Sequence, residues 1–364
     1  MAHDSPLKMA LYDRHVKAGA EMVCDAGWLM PSRFGSVEDE VRQVRRSAGV
    51  FDLSHVGRIR IRGDEALEVV ERACTADVIR QEDNTARVTL LCDESGRIID
   101  QCLILRLEDY WLLTTSPDRR ETVLAHLRAI ADDLAATVDD QTPKTAMICV
   151  AGPAAEGILS DVLPVPVADL PTGAAKVGSL LIARYVAMRT AFLGQWALGV
   201  VLTKMMVSQA WRFITDKAGA NAIAPVGLAA REILRIEAGR CRYGYELDET
   251  VDPITAGLGW AVDFEHDFLG RSVLEELRGH PPARRRVGLV LQTAGAAAPR
   301  PGAPVTHTNG DPAGAVTSGT CSPSLDKTIA MAYVASEFAE RGGELLVGVE
   351  HPQPAQIVAL PFIT

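Results

Sequence analysis

Apolar and polar positions change their period several times along the chain, and each change marks an element. Leu11 to Val23 carries the first helical signal, and a loop follows from Asp25 to Pro31. Ser36 stands three residues ahead of Asp39 and opens a charged helix to about Arg46, with Ser36 as its N-cap. Val50 to His55 reads as a strand. Val56 to Arg62 alternates apolar and basic residues, the period of a half-buried strand. Asp64 begins a helix with apolar positions at Ala66, Leu67, Val69 and Val70. Val88 to Leu91, Asp93 to Arg97 and Ile98 to Leu105 read as strand, turn and strand, a hairpin. A strand from Tyr110 to Thr115 and an amphipathic helix from Arg119 to Leu134 complete the block. This order predicts an α+β sheet with helices on one face.

The pattern then starts again. A buried strand from Ala146 to Ala151 leads into a helix from Ala154 to Val162. Strands follow near Val177 to Arg189 and at Ala197 to Leu202, then a helix from Met206 to Ala218. The element order repeats that of the first block, without a residue-level repeat. A helix from Gly227 to Arg240 begins near Pro225. Gly279 to Arg286 is rich in proline and arginine and reads as a solvated linker. Beyond Val287, short strands alternate with Gly, Pro and Asn turns, the pattern of a small β-barrel or sandwich. The division expected is 1–280 for two α+β lobes and 281–364 for the β-domain.

Charge and composition narrow the partners. The formal net charge is -10, which argues against nucleic acid, since that needs a basic face. Met1 to Lys8 lacks the apolar segment of a signal peptide, and Ala191 to Leu202 is too short to span a bilayer. The expectation is a cytoplasmic protein with no membrane partner. Seven cysteines occur with no C-x-x-C pair, so neither a disulfide framework nor a metal site is indicated. No G-x-G-x-x-G segment occurs, and no acid is patterned to complete a triad with His55, which reads as structural.

Several segments carry a resemblance. They include Gly27-Trp28-Leu29-Met30-Pro31, Gly49 to His55, and Met147 to Pro153. The longest is Gly227 to Gly239, continued by Tyr243-Gly244, Glu246 to Thr250, Pro253 and Gly259-Trp260. Asp267 to Arg271 and Val316 to Leu325 follow. In this order they resemble the glycine-cleavage T-protein (aminomethyltransferase) family across roughly residues 10 to 362. The resemblance implies two α+β folate-binding lobes and a C-terminal small β-barrel in a three-lobed arrangement, with tetrahydrofolate as cofactor. It also implies that Arg231 contacts the ligand. Arg231 and Arg235 lie four apart on one helix face, and either could fork a carboxylate. Arg235 is expected to pair instead with Glu237, Asp248 or Glu249. Ser318-Gly319 and Ser322-Pro323 read first as turns.

The chain departs from the family where the family grips its ligand. Asp100 matches the first aspartate of the family hairpin, but Gln101 stands where the second, critical one belongs. A glutamine amide donates and accepts hydrogen bonds but cannot take up a proton as a carboxylate does. Asp100 cannot replace it by a one-residue slip, because that turns a strand side chain to the other face. Val88 replaces a tyrosine, Thr115 an asparagine, and Gln195 and Gly199 two glutamates. Losing a charged partner of the pterin would cost roughly 1.5–3 kcal/mol. The expected catalytic residues are Gln101 and Asp100. The expected cofactor-binding residues are Val88, Thr115, Gln195, Gly199 and Arg231. The implied activity is transfer of an aminomethyl, methylene or methyl group from a small-molecule donor to tetrahydrofolate, outside standard glycine cleavage. A carrier protein stays open as a second partner. The alternatives are the same fold acting on a non-folate small molecule, and a non-catalytic folate-binding protein.

Overall fold

The computed structural model describes residues 5–162, 170–180, 183–219 and 222–363. They form two units. One takes Met1–Ala73, Val78–Thr89 and Cys102–Arg231, the other Cys74–Asp77, Leu90–Gln101 and Glu232–Thr364.

The first unit opens differently from its hydrophobic pattern. The helix spans only Tyr12–Lys17, because Gly19 takes φ 81° and turns the chain into the strand Glu21–Asp25. The expected loop is a two-residue turn. Ala26 and Gly27, at φ 48° and 80°, close a hairpin with the strand Trp28–Arg33, and two positive φ values match the twist of such strands. Trp28 and Met30 bury against Met9. Ser36 caps the helix Val37–Arg46 as its spacing predicts, accepting the Asp39 N–H at 3.4 Å.

A six-stranded sheet follows, in the order Ala175–Leu180, Ala183–Thr190, Ala197–Thr203, Thr145–Ala151, Ala48–Asp52, Ile223–Val226. Every pairing is antiparallel except the last, where Ile223–Val226 runs parallel to Ala48–Asp52. Val50, Ile148, Val150, Leu198 and Leu202 share one face by the two-residue period of a strand. There they pack against Leu159, Val207 and Trp211 of the helices Ala155–Val162 and Lys204–Ala218.

A five-stranded sheet runs in the order Thr85–Cys92, Ile98–Arg106, Trp111–Thr115, Gly57–Gly63, Ala136–Asp140. Its chain order is strand, helix, three strands, helix, with Ala66–Ala73 and Arg120–Ile130 as the helices. Thr145–Ala151 through Lys204–Ala218 repeats that order, and the strands take the same places in their sheet. The two sheets meet at equivalent edge strands. Thr85 bridges Ala174 antiparallel, with the Ala86 N–H on Gly173 O and the Ala175 N–H on Asn84 O, both at 2.6 Å.

The second unit contains a closed barrel, ordered Arg284–Leu291, Lys327–Ala335, Pro312–Ser322, Pro304–His307, Glu344–Val347, Gln353–Val358. Leu289, Val305, Ala330, Ala332, Leu345 and Ile357 fill its interior. The architecture is therefore α+β with a C-terminal small β-barrel, as expected. The linker reading of Arg284 to Arg286 is corrected, because these residues begin the first barrel strand. Arg286 donates to the carbonyls of Ala256 and Gly239, and Arg284 lies 4.8 Å over the Tyr333 ring. Among the described residues no helix is long and apolar enough to cross a membrane.

Candidate active site

Asp100 and Gln101 lie early in the strand Ile98–Arg106, just beyond a braced turn. The Asp93 carboxylate accepts the N–H groups of Ser95 and Arg97, each at 2.9 Å, and Gly96 supplies the positive φ of 74°. The Ile98 N–H donates to Val251 O at 3.0 Å, and Arg97 reaches Asp252 at 3.4 Å, tying the turn to the loop that follows Thr250. The strand then alternates. Ile98, Asp100, Cys102 and Ile104 are buried, whereas Ile99, Gln101 and Leu103 are half-buried. The two candidate residues therefore face opposite ways. Asp100 is 0% exposed, and its carboxylate accepts the Gln101 N–H at 2.8 Å.

Gly199 belongs to a row that crosses the six-stranded sheet. Its partners are Met188 on one side and Cys149 on the other, and Cys149 in turn faces Phe51. Directly opposed residues share a face, and this face is opposite to the one the helices cover. A Cβ at Gly199 would stand 3.1 Å from Met188 Cγ and 3.5 Å from Met147 Cε, so two methionines fill the space above the glycine. Phe192 meets Phe51 edge-on, with ring centroids 5.5 Å apart. The Arg231 guanidinium lies 5.8 Å from the Phe192 centroid. Burial pushes the Cys149 thiol up to about 12, with the Arg231 charge acting against it. That thiol is inert at neutral pH. The row is an apolar, aromatic floor with one cation above it.

The remaining candidates are not members of this row. Gln195 is half-buried and closes the short turn Phe192–Gly194, donating its N–H to Phe192 O at 3.0 Å. Val88 is half-buried on Thr85–Cys92. Thr115 is 3% exposed and ends Trp111–Thr115 opposite Gly57. A Cβ at Gly57 would meet the Thr115 Oγ1 at 2.1 Å, and that hydroxyl donates to Ser116 O at 3.0 Å. It is occupied within the chain. His55 is fully buried, 3.5 Å from the Asp25 carboxylate. Among the described residues no cluster of histidine, cysteine or acid could hold a metal ion.

Arg235 pairs with neither Glu237, Asp248 nor Glu249. It reaches Glu246 at 2.7 Å, binds Glu232, and donates to the Ser318 hydroxyl at 2.6 Å. Ser318 and Thr317 both donate to the other Glu246 oxygen. Ser318 and Ser322 thus belong to a barrel strand rather than to turns, and Ser322 donates to Glu237 at 2.6 Å. Burial pushes Glu232 up, but the Arg235 hydrogen bond and charge outweigh it, with Arg242 adding to them. The Glu232 carboxyl consequently stays below its ordinary range. Phe51, Cys149, Met188 and Phe192 escaped the sequence pattern as site residues. Their apolar character signals core equally well; sheet register sets Phe51, Cys149 and Met188 in one row, and Phe192, in the turn Phe192–Gly194, joins them through its edge-on contact with Phe51.

Two family models match the chain. The GCVT N-terminal domain covers residues 11–266, and the glycine cleavage T-protein C-terminal barrel domain covers 284–363. An aminomethyltransferase of Rubrobacter xylanophilus is 37% identical over 97% of this chain and 93% of its own length. A probable aminomethyltransferase of Natronomonas pharaonis is 36% identical over 97% and 98%. Among solved structures, the glycine cleavage system aminomethyltransferase T from Bartonella henselae superposes with a TM-score of 0.91. It is 29% identical, with 99% of this chain and 98% of that one covered.

Proposed function

Because this chain belongs to the glycine-cleavage T-protein (aminomethyltransferase) family, whose members are one-carbon transferases that use tetrahydrofolate, we propose that it transfers an aminomethyl, methylene or methyl group to tetrahydrofolate in a pocket depleted of acids, outside standard glycine cleavage. The observation that carries this reading is the opposite orientation of Asp100 and Gln101. The strand has a carboxylate, but it is turned inward and held by the backbone, and the residue on the more exposed face is an amide.

The chemistry that tetrahydrofolate supplies when bound is a ring nitrogen that accepts the one-carbon unit. Residues of each unit, taken separately, suit parts of such a group. Arg231 offers a planar fork to a carboxylate such as the folate glutamate tail. Half-buried Phe192 offers an aromatic face beneath it, with the buried Phe51 ring packed edge-on against Phe192. The Gln101 amide can hold a nitrogen by a hydrogen bond, but it cannot withdraw its proton. Gly199, with Met188 and Met147 packed over it, offers no charge where an acid would grip a pterin. With no base in this role, the protein contributes by orienting donor and acceptor and by excluding water. That favours a donor already activated for transfer, a small molecule carrying a methyl, methylene or aminomethyl group. A carrier protein presenting the group is the other form the donor could take.

Titration calorimetry with tetrahydrofolate and 5-methyl-tetrahydrofolate, paired with thermal shift, tests this. Binding of either, with a raised melting temperature, is the expected outcome. No heat and no shift at millimolar ligand would reject it.

A further inference from the structure

Glu40 sits in the helix Val37–Arg46 among arginines and acids, where the sequence pattern makes it one more surface charge. The structure gives it another place. It is 7% exposed, and its carboxylate collects three backbone N–H groups. Oε1 accepts from Phe34 at 2.6 Å and Gly35 at 3.1 Å, and Oε2 accepts from Gly227 at 2.8 Å. Hydrogen bonds to an ionised acceptor are about twice as strong as neutral ones. A carboxylate withdrawn this far from water is stable only when so bonded.

Gly227 is the residue before the helix Leu228–Glu237, and its carbonyl accepts the Arg231 N–H at 3.1 Å. The approach there is backbone on backbone. A Cβ at Gly227 would lie 2.2 Å from Ser32 O and 2.6 Å from Arg33 Cα. One carboxylate thus joins the segment after the strand Trp28–Arg33 to the start of the helix that carries Arg231 one turn on. Fixing the first turn of a helix fixes the azimuth of the side chains in its second. For Arg231 that azimuth decides whether the guanidinium stands over Phe192. We infer that Glu40 is the positioning residue for Arg231, holding its helix start through Gly227 so that the guanidinium is aimed before ligand arrives. This rests on the proposal that Arg231 contacts the folate.

The experiment is a double-mutant cycle on the full chain, with tetrahydrofolate affinity by calorimetry and thermal midpoint measured in parallel. Glu40→Gln keeps the shape but puts an NH2 against one set of backbone N–H groups. Arg231→Met is expected to weaken binding about tenfold, a loss of about 1.4 kcal/mol. Glu40→Gln is expected to weaken it about three- to tenfold, and the double variant no further than Arg231→Met alone, because coupled residues do not add. Glu40→Asp, which keeps the charge and shortens the reach, should fall between parent and Glu40→Gln. It carries the measurement if the glutamine variant does not fold. Losses that multiply in the double variant would overturn the inference. So would a lower melting temperature with unchanged affinity in both Glu40 variants, since that is all a merely structural acid would give. Failure of the parent to bind folate would instead sink the wider reading of the pocket. If the parent binds and Arg231→Met binds equally well, only the roles of Arg231 and Glu40 fall.

Discussion

At position 101 the strand carries an amide, which donates and accepts hydrogen bonds but cannot take up a proton as an acid does. Restoring the acid by Gln101→Asp places a charge on the half-buried face of the strand, beside a carboxylate already held on the other. We expect about tenfold tighter tetrahydrofolate binding or a measurable glycine-cleavage activity, the gain of one charged hydrogen bond. Calorimetry and a cleavage assay check both, and no gain in either would mean that the wider pocket, not this residue, sets the reaction. The opposed orientation of Asp100 and Gln101 is legible in the sequence, because a strand alternates strictly. The partner of Arg235 is not. Glu246 lies eleven residues on in the chain, and only the closing of a loop, in which the Arg242 N–H donates to Glu246 at 3.1 Å, brings it back to the helix. Sequence distance does not select the partner, since Glu237 is nearer to Arg235 than Glu246 but Asp248 and Glu249 are farther. Burial favoured the acid that serine and threonine hydroxyls could also satisfy.

Elements were most legible where one period ran uninterrupted. The hairpin around Asp93 to Arg97, the helix capped by Ser36 and the short strands of the barrel all follow their patterns. The early chain was misleading because Leu11 to Val23 keeps a helical spacing of apolar residues across Gly19. A glycine at φ 81° ends the helix more strongly than the spacing continues it. Gly227 shows the same dominance of backbone over pattern. It reads as the start of a helix, yet its necessity comes from the Ser32 carbonyl a side chain would strike. Gly227→Ala is expected to destabilise the fold by about 1–3 kcal/mol, the range for forced overpacking. Urea unfolding would show it as a lower midpoint at an unchanged slope. A variant as stable as the parent would mean the strand end and the helix start are free to separate.

Over the whole chain, the repeated order of strands and helices was visible in sequence without any repeated residues. What sequence could not supply is how the two sheets meet, since that depends on a few backbone hydrogen bonds between segments some ninety residues apart. The bridge of Thr85 to Ala174 joins the edge strand of one sheet to the equivalent edge strand of the other. Edge strands left open are templates for pairing with other molecules. Ala86→Pro removes the N–H that donates to Gly173 O and should unzip this seam. The expected outcome is a protein that forms higher oligomers by light scattering as its concentration rises. A variant that stays at the parent's size would show that the seam is dispensable.

Because that seam pairs like with like, antiparallel, it has the local two-fold relation found where identical subunits join. The chain carries within one polypeptide the handshake of a dimer, and fusion frees each half from having to mirror the other. Differences between the halves can then stand without breaking the union.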